Sequence, residues 1–83
     1  MQEIIDFLWD YLNSIKPLNM SKDEFLTYRY LDNHLDSFGI MQFILEVENK
    51  FNIKLLPEDT ESEEIRTIEG VAKIIQKRMK NEI

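Results

Sequence analysis

The stretch Leu35–Ile53 reads LDSFGIMQFILEVENKFNI, and its apolar residues recur at helical spacing instead of alternating. Phe43, Ile44, Val47 and Phe51 fall on one side, which predicts a helix from about Ser37 to Lys50 with that side inward. Asp36 is placed to cap it. A carboxylate there accepts from free backbone N–H groups, and its charge suits the positive end of the helix dipole. Phe51 and Ile53 carry the chain into a bend, and Pro57 breaks it.

Upstream, residues 2–15 place Ile4, Ile5, Leu8, Leu12 and Ile15 along one helical face. Lys16-Pro17 ends that helix, because a residue before proline disfavours the helical region. The connection LNMSKDEFLTYRYLDNHLD (residues 18–36) is long and irregular. Ser21 with Glu24 predicts a capping box for one short turn, and Phe25, Tyr28, Tyr30 and Leu31 are expected to hold the rest down. Downstream, EDTESEEI (residues 58–65) predicts a short helix or turn. Thr67 then caps a last helix from Ile68 to about Asn81, with Ile68, Val71, Ala72, Ile75 and Met79 inward. Lys73, Lys77, Arg78 and Lys80 gather toward its C-terminus, where cations are favoured. The expected architecture is all-α. It is one domain over residues 1–83, a small four-helix bundle of three longer helices and one short one, with a long loop between the first and second.

Composition narrows what such a bundle does. Eighty-three residues allow a single core, and without cysteine there is neither a disulfide staple nor a thiolate zinc site. One histidine likewise argues against a histidine metal cluster; no metal site is expected. Packing must hold the fold, and 43% hydrophobic residues with five Phe, three Tyr and one Trp supply it. A net charge of −6 argues against a nucleic-acid partner, which needs a basic face, and predicts basic partner proteins. Glu3 and Asp6 interrupt the first apolar run, unlike a signal peptide. The expectation is a monomeric, soluble, cytoplasmic protein with no membrane insertion.

His34, Asp36 and Ser37 offer an acid, a base and a nucleophile within four residues. Catalytic triads work by geometry, with members drawn from separated parts of a fold, and no glycine-framed nucleophile elbow occurs here. We therefore expect no catalytic residues, with His34 resting on the bundle. Ser37 makes better sense as an acceptor. A hydroxyl at a helix start lies beside unpaired N–H groups and a positive dipole end, a favourable seat for a phosphate ester. Position alone favours an ordinary first-turn serine over an acceptor, and Ser21 has the same context.

The residues around Ser37 add to this. LDSFGIMQFILEVENKFNI resembles the phosphopantetheine attachment motif of acyl carrier proteins, in which Asp-Ser and a large apolar residue open the second helix. Met41, Ile44, Val47 and Phe51 match that family's apolar positions, Glu48 an acidic one, and the long loop and short third helix match its plan. DSFG followed by ENKFNI is most similar to the D-alanyl carrier protein branch. The resemblance implies that Ser37 is esterified by 4′-phosphopantetheine, taken from coenzyme A by a holo-acyl-carrier-protein synthase. Asp36 then helps present the serine and the synthase's metal. The arm carries an acyl or aminoacyl group as a thioester between an adenylating, acyl-loading enzyme and an acyl transferase, and the carrier itself is not an enzyme. The second helix becomes the partner-binding surface. Phe38, Met41, Leu45 and Glu48 follow Ser37 along it.

Some positions depart from the family. Gly39 and Gln42 stand where fatty-acid carriers often place acids, and Glu46 where a small residue is usual. The glycine before the motif is missing; Asn33, nearby, is the next-best residue for a left-handed turn. These departures imply a dedicated carrier in a specialised pathway. The alternative is a carrier-fold interaction subunit or adaptor without a functional arm.

Overall fold

Three long helices, each built on an apolar stripe, meet around one core in a computed structural model that describes residues 1–81. They are α1 (Gln2–Ile15), α4 (Ser37–Phe51) and α6 (Ile68–Asn81). Between α1 and α4 lie two one-turn helices, α2 (Lys22–Phe25) and α3 (Tyr30–Asn33). Between α4 and α6 lie α5 (Pro57–Thr60) and a 3₁₀ helix (Glu63–Arg66). Among the described residues no helix is long and apolar enough to cross a membrane.

The core is made by the expected stripes. Ile4, Ile5, Leu8 and Leu12 of α1, Phe43 and Val47 of α4, and Ile68, Val71, Ala72 and Ile75 of α6 are all buried. Burying each of the larger ones contributes about 1.5–3 kcal/mol. Two expected inward residues are corrected: Ile15 is 48% exposed and Met79 39%. Both sit in the last turns of their helices, where the stripe runs past the packed neighbour.

The connection between α1 and α4 is more ordered than its irregular pattern predicts. Ser21 forms the expected capping box, with Glu24 N–H donating to Ser21 Oγ at 3.2 Å and Ser21 N–H to Glu24 Oε1 at 2.9 Å. Phe25, fully buried, lies edge-on to Trp9 at 5.0 Å. Tyr30, also fully buried, packs on Phe43 at 5.1 Å and so pins α3 to α4. The start of α6 is held from the same side. Glu69 N–H donates to the Leu26 carbonyl at 2.8 Å, and Thr67 Oγ1 accepts from Gly70 N–H at 3.1 Å as the predicted cap.

On the other side, α5 is locked to α6. Arg78 donates from Nε to Asp59 Oδ2 at 2.8 Å and from Nη2 to Oδ1 at 2.9 Å, while Asp59 Oδ2 also accepts from Leu56 N–H. The guanidinium, and then the backbone N–H, hold the Asp59 carboxyl below its ordinary value against the opposing effect of burial.

Candidate functional site

Ser37 is the first residue of α4 and is exposed. The chain surfaces abruptly there: His34 and Leu35 are buried, Asp36 and Ser37 are exposed. Asp36 is the cap the sequence predicts, in extended conformation, with Oδ1 accepting from Gly39 N–H at 2.7 Å. Its carbonyl accepts from Ile40 N–H at 2.9 Å and closes the first turn. Ser37 thus stands at a well-formed helix N-terminus, where the backbone amides make a positive end.

Gly39 has a role that its departure from the family pattern did not suggest. A Cβ there would lie 3.0 Å from Asp36 Oδ1 and 3.5 Å from the Leu35 side chain. Leaving it out gives the capping carboxylate room for its short bond. The Asn33 expectation is corrected: Asn33 closes α3 as a helical residue, and the non-glycine residue with positive φ is Asn52 (φ 54°), the C-cap of α4.

The segment entering Ser37 is tied to α1. His34, 7% exposed, places Nε2 2.8 Å from the Leu12 carbonyl and Nδ1 3.0 Å from the Tyr28 hydroxyl. A carbonyl only accepts, so Nε2 carries the hydrogen and, in the neutral ring, Nδ1 accepts from Tyr28. Beside it Lys16 Nζ donates to the Asn33 carbonyl at 3.0 Å. The imidazole is buried and both its nitrogens are engaged by Leu12 and Tyr28, while Ser37 is exposed, so His34 shows no hydrogen bond to the serine. Among the described residues no group of three His, Asp or Glu side chains could hold a metal ion.

Along α4 from Ser37 runs an apolar surface that the core does not use. Phe38 is 72% exposed, Met41 66% and Leu45 54%. Large side chains exposed together beside one functional group mark a contact surface better than any of them singly. Glu48, expected beside them, is half-buried, and its Oε2 accepts from Leu55 N–H at 2.8 Å, bracing the turn after α4. That bond joins residues seven apart through a bend, so helical spacing gave no sign of it. Of the acidic stretch, Asp59 is committed to Arg78, while Glu58, Glu61, Glu63 and Glu64 remain exposed.

A groove of about 290 Å³ opens beside Ile40, one turn from Ser37, between Leu31, Ile65 and the ion-paired Asp32 and Arg66. Phe43 and Val47 of α4 and Ile68 of α6 are fully buried. No protein-family model, curated protein or solved structure matches the chain.

Proposed function

We propose that the chain is an acyl carrier protein, bearing 4′-phosphopantetheine on Ser37 and presenting an acyl or aminoacyl group to partner enzymes. The observation that carries this is the exposed Ser37 at the capped start of α4, with Phe38, Met41 and Leu45 exposed along the same helix. On this reading α1, α4, the short α5 and α6 are the four helices of the carrier plan.

The residues present fit the group. Ser37 offers a hydroxyl with no bulk in front of it, and the amide-rich helix end favours the negative phosphodiester that results. In the transfer, Ser37 Oγ gives up its proton and bonds to phosphorus, while the nucleotide half of coenzyme A leaves. Asp36, with one oxygen on Gly39 N–H, keeps Ser37 at the helix start and leaves its other oxygen for the synthase's metal. When bound, the arm supplies a thiol that carries the cargo as a thioester. The chain contributes a rigid helix end for the arm and an apolar face for the enzymes it visits.

Coexpression with a broad-specificity holo-synthase, followed by intact-mass measurement, tests this. The expected result is a gain of one phosphopantetheinyl group that disappears in Ser37→Ala. No gain, or a gain that survives Ser37→Ala, overturns the carrier assignment. The same exposed apolar face without an arm would serve an interaction subunit or adaptor. That second reading predicts an unmodified Ser37 in protein from the native cell and a stable partner in pull-downs.

A further inference from the structure

Helix α1 already seats one cation. Lys22 Nζ lies 5.5 Å from the centre of the Trp9 ring and 3.2 Å from the Asp6 carboxylate. An aromatic face with a carboxylate one turn away is a sound receptor for an ammonium or guanidinium group. Round the helix the same materials recur. Phe7 and Tyr11 stack at 5.9 Å with 23° between their planes, and both stay half-buried. Behind them, Phe51 meets Phe7 edge-on at 5.4 Å and Phe43 meets Tyr11 at 5.7 Å, so the pair is backed by the core.

Carboxylates surround this floor. Glu3 and Asp10 flank it from α1, both exposed. Burial raises the Tyr11 phenol above its ordinary value, and the negative charge of Glu46 on α4 raises it further. Lys50 stands at the rim, so an alkylammonium is already compatible with the site. Glu3, Asp6, Phe7, Asp10 and Tyr11 of α1 and Lys50 near the far end of α4 border a groove of about 650 Å³.

We propose that this groove docks a basic segment of a partner protein, with arginine or lysine side chains laid over Phe7 and Tyr11 and held by Glu3 and Asp10. The charges select this occupant. Glu3, Asp6 and Asp10 stand against the single Lys50 in the lining, and although Asp6 is shared with Lys22, the balance favours a cationic guest and repels nucleic acid and anionic membranes. The stacked rings give the guest's methylene stems an apolar bed. Lys50 and Ser37 lie at opposite ends of α4, about 20 Å apart at helical rise. The docking groove is thus separate from the Ser37 face, and a partner held here leaves that face free.

The test is a titration of the ¹⁵N-labelled protein with N-acetyl tetra-arginine amide at low salt, followed by NMR. Shifts are expected to concentrate in residues 3–11 and 46–51. Glu3→Gln combined with Asp10→Asn, two exposed positions, is expected to weaken binding about fivefold or more, and Tyr11→Leu about threefold. Absence of binding overturns the proposal. So do shifts centred on the acidic stretch 58–64, or an affinity unchanged in the Glu3→Gln/Asp10→Asn variant, either of which reduces the effect to general attraction by an acidic protein.

Discussion

Replacing Gly70 by alanine sets two effects of opposite sign against each other. An alanine inside a helix gains about 1 kcal/mol over glycine. At this position, however, its Cβ would land 1.7 Å from the Glu64 carbonyl oxygen and 2.7 Å from the Glu64 carbonyl carbon. Both are backbone atoms of the 3₁₀ helix, so no side-chain rotation relieves the clash. To restore even a 3.0 Å approach from 1.7 Å, that helix must retreat by at least 1.3 Å. It carries Ile65, 2% exposed, and Arg66, which pairs with Asp32 at 2.9 Å. Lifting Ile65 out of the core costs about 1.5–3 kcal/mol, and absorbing the clash in place costs a comparable amount. Repulsion wins, and we expect a net loss of about 0.5–2 kcal/mol, against a total stability of roughly 4–12 kcal/mol for a domain of this size. In a urea titration followed by far-UV circular dichroism, this lowers the midpoint by roughly 0.5–2 M at a slope of about 1 kcal/mol/M. Gly39→Ala is the internal comparison. Its nearest neighbour is a side-chain oxygen at 3.0 Å, which can shift, so its stability should stay within about 0.5 kcal/mol of the parent. Equal midpoints for the two variants, or a Gly70→Ala protein more stable than the parent, would refute the reasoning.

Three further outcomes are expected. Tyr30→Phe should raise stability by about 1 kcal/mol in the same titration, because the Tyr30 hydroxyl is buried without a hydrogen-bond partner and burial also pushes its phenol far up. Asp59→Asn should cost about 1.5–3 kcal/mol near neutrality. The Asp59 carboxyl is depressed in the folded protein, chiefly by Arg78. Its contribution is therefore complete above the ordinary carboxylate range and fades as pH falls through the lower folded value, so parent and variant should converge in acid. Phe38→Ala and Met41→Ala should leave the stability from the urea titration within about 0.5 kcal/mol of the parent, since both side chains are exposed. The same two changes should slow arm attachment by the holo-synthase in a mass-spectrometric time course.

What could be read from the sequence was local or periodic. The three long helices announced themselves through apolar spacing, and the caps Asp36, Ser21 and Thr67 through contacts spanning only three residues. What escaped depends on contacts distant in the chain. Helix α3 has no side-chain cap and no apolar period; it is positioned by the burial of Tyr30 against Phe43. The Asp59–Arg78 pair spans nineteen residues, so an acidic stretch that looked solvated contains one committed carboxylate. Ile15 and Met79 continue their helical patterns correctly, yet lie beyond the neighbour that would bury them. At the candidate site, Asp36 and Ser37 could be placed from sequence, whereas the tie of His34 to Leu12 and the room left by Gly39 required three dimensions.

The His34 imidazole also gives the molecule a spectroscopic probe of its own. It is the only histidine in the chain, so its ring resonances stand alone without selective labelling. Both nitrogens are engaged, one with the carbonyl of Leu12 and one with the hydroxyl of Tyr28, which fixes the tautomer and shields the Nε2 proton from exchange with solvent. The ring lies three residues before Ser37, joined to it through buried Leu35 and the capping Asp36. Any covalent change or bound enzyme that strains the start of α4 pulls on those two hydrogen bonds. In uniformly ¹⁵N-labelled protein, a single nitrogen chemical shift then records whether an event at the serine is felt by the first helix.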